Sequence, residues 1–237
     1  MTAVTPCHAC GVQPLVNARF CHGCGSPVHA TEPHAEYKQV TVLFADVVRS
    51  MEMAASLGPE RLREVMTELV DRSAAVVQRY AGTVDKFTGD GIMALFGAPI
   101  ALEDHAFRAC LAAVDIQQVG QRLATEVSRR DGIDLRLRVG LNSGQVIAGE
   151  VGATHLGYTA VGEQVGMAQR MESVAPPGGV MCSESTARLV AHVAVLADAE
   201  QVHIKGSAVA VRARRLLSVA EGPAHTGEPD GELLGRA

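Results

Sequence analysis

The chain has 237 residues, 47% of them apolar and 20% charged, which suits one well-buried domain plus a small module. A formal net charge of −5 and an aromatic content of 3% argue against nucleic acid as a partner. Residues 1–11 lack the apolar segment of a signal peptide and no apolar run reaches membrane-spanning length, so we expect a cytoplasmic protein without a membrane partner.

Two Cys-x-x-Cys pairs lie at the start of the chain. Cys7 and Cys10 form the first pair, Cys21 and Cys24 form the second, and a glycine follows each pair. A two-residue gap lets both thiolates of a pair reach one metal ion, and the glycine lets the backbone turn beneath them. Because disulfides are disfavoured in the cytosol, we predict a structural zinc ribbon over residues 1–26 rather than two disulfides or a redox pair.

Composition divides the rest of the chain into three segments. Residues 27–37 contain proline without apolar periodicity and predict a linker. Residues 38–218 have the apolar pattern of a packed domain. Residues 219–237 are rich in Gly, Glu and Pro and predict a disordered tail.

Apolar periodicity within the domain predicts alternating strands and helices. The first elements are a strand buried on both faces at 40–45, a long helix from Pro59 to before Gly82, a hairpin of strands 83–87 and 92–96, and a second long helix at 102–129. They are followed by a half-buried strand at 136–142, a helix at 163–174, short strands with a helix, and a terminal hairpin of 195–205 and 208–217. This order predicts an α+β fold of the ferredoxin-like kind, an antiparallel sheet backed by helices.

Two aspartates lie where neighbouring strands end. Asp46 follows the first strand, and Asp90 lies in the predicted hairpin turn with a glycine on each side. Taken singly, such residues are often a helix cap and a turn residue. Adjacent strands would bring both carboxylates to one edge of the sheet, and paired carboxylates are what two Mg²⁺ or Mn²⁺ ions need.

Five stretches of the chain together resemble a known family. They are, in chain order, VTVLFADVVRS, VDKFTGDGIMALFGAP, LRVGLNSGQVIAGEVG, GYTAVGEQVGMAQRME and VHIKG. They are similar to class III adenylyl and guanylyl cyclases, especially the actinobacterial form, and the resemblance covers about residues 38–217. The cysteine module also resembles a zinc ribbon found ahead of some bacterial cyclase domains.

The resemblance implies a fold, a reaction and an assembly. It implies the class III nucleotidyl cyclase fold, with Asp46 and Asp90 binding both metal ions while the ribose 3′-hydroxyl of a nucleoside triphosphate attacks the α-phosphorus and pyrophosphate leaves. In this family each site lies between two chains of a homodimer. One chain supplies the carboxylates, and the other supplies the adenine contacts and an arginine.

Four further residues match positions of the family. Lys86 matches the purine-selecting lysine, whose ammonium donates to N1 of adenine and is mismatched with the N1–H of guanine, so ATP is favoured over GTP. Thr159 matches a position that contacts the adenine amino group, where many members have Asp. Arg170 matches the arginine that stabilises charge on the phosphates, and Lys205 matches a lysine that contacts the terminal phosphates. Without the resemblance, Lys86 would be an exposed hairpin lysine and Arg170 an ion-pair partner on a helix.

Three positions depart from the family pattern. Gly166 stands where an asparagine usually orients the ribose or phosphate, and the loss of one such donor costs on the order of 10²–10³ in rate. Arg49 and Met51 replace the Gly and Thr of a common Gly-Ser-Thr turn after Asp46. Two hypotheses therefore stay open: a slow adenylyl cyclase, or a cyclase-like nucleotide-binding regulatory dimer with little turnover.

Overall fold

The computed structural model describes residues 6–7, 9–13, 15, 18, 20–26, 36–150, 158–204 and 209–220. Most of the predicted linker and tail therefore lies outside the described residues, and those two predictions stay predictions. At the ends of the packed domain the structure differs slightly from the predicted bounds. The first strand already begins at Glu36, and the last continues to Val219.

Nine strands and five helices form the described part of the domain. The strands are β1 (Glu36–Val47), β2 (Thr83–Phe87), β3 (Gly91–Phe96), β4 (Leu137–Glu150), β5 (Tyr158–Val161), β6 (Val180–Ser183), β7 (Ala194–Leu196), β8 (Glu200–Val202) and β9 (Val211–Val219). The helices are α1 (Ser50–Leu57), α2 (Pro59–Arg79), α3 (His105–Asp131), α4 (Glu163–Val174) and α5 (Glu184–Val190).

One continuous sheet runs through the domain in the order β2-β3-β1-β4-β6-β9-β7, with β5 beside β4 and β8 beside β9. The predicted α+β architecture is confirmed. The described strands pair in antiparallel fashion, except that β4 and β6 are parallel. The reason is the connection through α4, which carries the chain across the sheet before β6 begins.

Both faces of β1 are buried, as its apolar run predicts. Leu43 and Ala45 belong to the main core beneath α2 and α3. Val42 and Phe44 belong to a second core on the opposite face, with residues of β5 and α4. Strand β1, which carries Asp46 near its end, is thus packed on both faces.

Strand β4 extends well beyond the predicted 136–142. It pairs with β1 along its length, from Val47 opposite Leu137 to Glu36 opposite Ala148. The prediction ended early because Ser143 occupies the next position at which the alternation requires an apolar residue. A Cβ at Gly144 would lie 2.8 Å from the side chain of Gln164, so the glycine makes room for α4 against the strand.

Candidate functional site

Asp46 and Asp90 lie at the same edge of the sheet, as predicted. Asp46 is near the end of β1 and pairs with Gly91 of β3, directly after Asp90. The amide of Val47 donates to the Asp90 carbonyl at 3.2 Å. A Cβ at Gly91 would overlap the carbonyl oxygen of Ala45 and approach Oδ1 of Asp46, so this glycine is required for β1 and the hairpin to meet.

The protein provides few hydrogen-bond donors to stabilise the negative charges of Asp46 and Asp90. Burial, and after it the neighbouring Asp90, raise the pKa of Asp46 to about 7. Oδ1 of Asp46 is buried without a hydrogen-bond donor, whereas Oδ2 of Asp90 accepts from the Ser50 hydroxyl at 2.6 Å. Hard oxygen ligands, like charges and an unsatisfied buried oxygen all fit Mg²⁺ or Mn²⁺.

Glu172 and Arg138 border the aspartate pair and were not predicted as site residues. Arg138 lies opposite Asp46 in the pairing of β1 with β4, and its Nε is 3.0 Å from Oε1 of the buried Glu172. The pKa of Glu172 is raised, mainly by burial. The charge of Arg138 acts in the opposite direction, and the charge of Asp90 adds to the increase. The pair therefore places a third carboxylate and a compensating cation at the edge of the site.

Helix α4 reaches this position because of a glycine in β4. A Cβ at Gly140 would overlap the backbone of Glu172 and of Ala168, so only glycine allows the helix to pack this closely on the strand. A glycine within a strand is a sequence signal that another part of the backbone packs closely against that strand. Which element approaches it could be known only from the sheet order.

The turn after Asp46 has a backbone conformation that suits the glycine of the family pattern, although Arg49 occupies the position here. Arg49 precedes α1 with φ 57° and ψ 39°, in the left-handed region that favours glycine. Its carbonyl accepts from the amides of Glu52 and Met53 at 3.0 and 3.1 Å, while its side chain is exposed. A non-glycine residue there costs about 1–2 kcal/mol.

The other predicted substrate contacts are spread over three elements. Lys86 is in β2, Thr159 is in β5 with its Oγ1 buried and without a hydrogen-bond partner, and Arg170 is in α4. Within the described residues, no hydrogen bond or ion pair joins them to Asp46 or Asp90.

Arg170 and the departure at Gly166 meet on one turn of α4. A Cβ at Gly166 would lie 3.5 Å from Nη1 of Arg170, so the guanidinium lies beside the position that a side chain at 166 would enter. Lys205, by contrast, lies outside the described residues, and its predicted contact with the terminal phosphates stays a prediction.

The four cysteines of the N-terminal module converge on one point. Their sulfur atoms lie within 4.8 Å of one another, with 3.6 Å between Cys7 and Cys24 and between Cys10 and Cys21. A tetrahedral zinc ion with Zn–S bonds of ~2.3 Å has sulfur–sulfur edges of about 3.8 Å. The cluster fits one such ion.

The two cysteine pairs have matching backbone turns. Gly11 donates its amide to the Cys7 carbonyl and Gly25 donates to the Cys21 carbonyl, both at 2.8 Å, and both glycines have positive φ. Hydrogen bonds from the Ser26 side chain and backbone lower the pKa of Cys24 to about 6. Thiolate is the metal-binding form, so these hydrogen bonds favour metal binding by Cys24.

The mostly antiparallel sheet thus brings together two carboxylates, one from β1 and one from the turn before β3, and such a pair suits divalent metal ions. Residues 32–215 match the family of the adenylate and guanylate cyclase catalytic domain. The chain belongs to this family, which confirms the resemblance drawn from the sequence. No helix in the described part of the chain is long and apolar enough to cross a membrane.

Curated relatives include both kinds of cyclase. The adenylate cyclase of Mycobacterium tuberculosis is 30% identical over 174 residues, which cover 73% of this chain and 38% of the relative. The membrane guanylyl cyclase of Dictyostelium discoideum is 32% identical over 152 residues, 64% of this chain and 10% of the relative. The chain thus matches well under half the length of these proteins.

Solved structures also include both kinds. The adenylyl cyclase CyaB from P. aeruginosa superposes with a TM-score of 0.73 at 27% identity, covering 79% of this chain and 98% of that chain. The guanylyl cyclase Cya2 gives a TM-score of 0.74 at 28% identity, covering 79% and 95%. The family and the fold are shared, and these relatives are named both as adenylyl and as guanylyl cyclases.

Proposed function

We propose that the chain is an adenylyl cyclase that converts ATP to 3′,5′-cyclic AMP and pyrophosphate, slowly, as a homodimer. The observation that carries the proposal is the half-buried pair of Asp46 and Asp90, in which burial and, after it, the neighbouring Asp90 carboxylate raise the pKa of Asp46 to about 7. Such a pair is poorly stabilised by the protein alone and gains most from divalent cations. A cytoplasmic location, predicted from the sequence, would supply ATP.

Asp46 and Asp90 would hold two Mg²⁺ or Mn²⁺ ions, with Ser50 orienting Asp90 through its hydrogen bond. When bound, the ions lower the pKa of the attacking 3′-hydroxyl and neutralise charge on the phosphates and the leaving group. Cyclisation needs the hydroxyl held in line with the α-phosphorus, so most of the protein's work is positioning. Arg170 of the partner chain would stabilise charge that develops on the phosphates.

Recognition of adenine would come from Lys86 and Thr159. The Lys86 ammonium donates to N1 of adenine, which is an acceptor, and meets a donor on N1 of guanine. The Thr159 hydroxyl, buried without a partner, would accept from the adenine amino group. ATP is therefore the proposed substrate, with Lys205 bound to its terminal phosphates.

The second candidate function is a nucleotide-binding regulatory dimer with little turnover. Gly166 favours it, because it has no side-chain donor beside Arg170. The two functions differ in product and not in binding. A regulatory dimer would bind 3′-deoxy-ATP, which lacks the attacking hydroxyl, and would form no cyclic AMP from ATP.

The cysteine cluster is proposed to hold one structural Zn²⁺ ion. Four thiolates close the coordination shell and leave no position for a substrate, so the ion would fold the ribbon rather than catalyse. A protein contact is the proposed role of the folded ribbon.

The deciding experiment incubates the purified chain with Mn²⁺ and ATP and measures cyclic AMP and pyrophosphate. We expect both products, and a loss of about 10³-fold or more in Asp46→Ala. Asp131→Asn is the control, since it removes a carboxylate that pairs with Arg61 on the helices α2 and α3. Product no higher than in Asp46→Ala would reject the cyclase and favour the regulatory dimer.

Assembly is tested by mixing two inactive variants. If each site uses carboxylates from one chain and Lys86 from the other, a heterodimer of Asp46→Ala and Lys86→Ala contains one complete site. Activity should reappear on mixing and exceed that of either variant alone. A heterodimer that forms, as seen by mass spectrometry, and stays inactive would contradict the shared site.

A further inference from the structure

A β-bulge lies directly before Lys86. Val84 pairs with Ala94 of β3 and Lys86 pairs with Met93, so Asp85 between them has no partner in β3. Side chains alternate between the faces of a regular strand. An extra residue breaks this alternation and lets two successive side chains share a face.

The two cores show which face is shared. Val84 packs against the main core with Ala94, so the next side chain, that of Asp85, belongs to the opposite face. Lys86 lies opposite Met93, which belongs to the second core beside β5 and α4. The bulge thus puts the carboxylate of Asp85 and the ammonium of Lys86 on the same side of the sheet.

The Asp85 side chain is fully buried, and no donor forms a hydrogen bond of good geometry with either of its carboxylate oxygens. Its one ion-pair partner in the described part of the chain is Lys86, whose Nζ lies 3.1 Å from Oδ2. A buried carboxylate without donors is costly, so it holds the ammonium strongly. The Lys86 side chain is 50% exposed, which leaves donors of its ammonium available to a ligand.

We propose that Asp85 is a positioning residue for purine selection, because it fixes the ammonium of Lys86 at one point facing the base. This inference rests on the proposed role of Lys86 in ATP recognition. A free lysine side chain samples many rotamers, can turn away from guanine and discriminates weakly. A lysine held by a buried carboxylate keeps its donors facing the N1–H of guanine, and the mismatch then costs affinity.

The test measures equilibrium binding of 3′-deoxy-ATP and 3′-deoxy-GTP, which cannot cyclise, in the presence of Mn²⁺. We expect Asp85→Asn to reduce the preference for the adenine analogue about tenfold, the effect of losing a hydrogen bond to a charged group. Asp85→Glu keeps the charge and should retain most of the preference. Asp131→Asn, which removes a largely buried carboxylate from an ion pair on the helical side, should leave the preference unchanged.

A double substitution separates positioning from stability. If Asp85 acts through Lys86, Asp85→Asn should change the preference no further in a Lys86→Gln background. Should Asp85→Asn fail to fold, the Asp85→Glu and Lys86→Gln variants are compared instead: retained preference in the first and lost preference in the second support the inference, and equal loss overturns it.

Two results would overturn the inference outright. One is an Asp85→Asn protein that folds and keeps the wild-type preference, and the other is a wild-type protein that binds both analogues equally. Failure of the cyclase proposal looks different, since it shows as absence of cyclic AMP while the preference for 3′-deoxy-ATP and its dependence on Asp85 persist.

Discussion

The cysteine cluster and the aspartate pair are two candidate metal sites built in opposite ways. The four cysteines lie between residues 7 and 24 and meet through two short turns with matching hydrogen bonds. Asp46 and Asp90 are brought together by the pairing of β1 with β3, and a helix and a third strand border them. A site formed by residues close in sequence can be predicted from their spacing, whereas a site assembled by a sheet depends on the whole fold.

The largest effect is expected from a substitution in the cysteine cluster. Cys21→Ser should abolish zinc binding and unfold the ribbon, because four-thiolate zinc binding supplies about 10–16 kcal/mol of folding free energy in small modules. Zinc content by atomic absorption should fall from about one ion per chain to near zero.

The same variant tests whether the two sites are independent. Mn²⁺ affinity and thermal unfolding of the cyclase domain should match those of the wild-type chain. Cys110→Ser, which removes a buried thiol far from the cluster in sequence, is the control and should keep its zinc. Loss of Mn²⁺ binding in Cys21→Ser would show that the sites are coupled.

A smaller effect is expected at α4. Gly166→Asn should raise the rate of cyclic AMP formation by up to about 10²-fold, because it restores a donor beside Arg170. Gly166→Ala adds the Cβ without the donor and serves as the matched control. Equal rates in both variants and the wild type would mean that the missing donor does not limit turnover.

Metal binding at the aspartate pair should depend on pH through the raised pKa of Asp46. Since the folded-state pKa of Asp46 is raised to about 7, the carboxyl is mostly protonated at pH 6, and Mn²⁺ must displace that proton. Affinity should therefore fall as pH drops below about 7, approaching tenfold per pH unit, and level off above about 8.

The raised pKa of Asp46 also determines how the stability of the protein changes with pH. A carboxyl whose pKa is raised by folding stabilises the metal-free protein least when it is ionised, so stability should decrease as pH rises from about 4 through 7. Mn²⁺ should then raise the melting temperature more at pH 8 than at pH 6, as calorimetry can measure. Mn²⁺ affinity that is flat between pH 5.5 and 8 would contradict the protonation of Asp46.

The smallest effect concerns the turn that follows Asp46. Arg49→Gly should stabilise the domain by about 1 kcal/mol, because glycine adopts a positive φ without steric cost. Urea unfolding measures this change. Arg49→Ala keeps the strain, removes the exposed charge and is the control. Equal stability of the glycine and alanine variants would show that charge, rather than backbone conformation, dominates there.

The sequence predicted what depends on periodicity and spacing. The strand before Asp46, the hairpin around Asp90 and the two cysteine turns each follow from local patterns, and the structure has all of them. The parallel pairing of β4 with β6 was not predictable in that way, because it depends on where a helix returns the chain to the sheet.

Contacts at the site were missed for the same reason. In the sequence, Arg138 is one polar residue of an alternating strand, and its place opposite Asp46 depends on the register of two strands far apart in sequence. Glu172 had no distinguishing pattern on its helix. Asp85 was hidden because a bulge adds a residue without leaving a local sign in composition.

The bulge at Asp85 has a consequence for how this hairpin can change in evolution. Val84 and Lys86 pair with successive residues of β3, so deletion of the single codon for Asp85 would leave an unbroken ladder with Lys86 still opposite Met93. Such a deletion would remove only the carboxylate that holds the lysine. Selectivity for the base could then be lost in one genetic step that the fold tolerates, leaving a descendant that is as well folded as its ancestor and less discriminating.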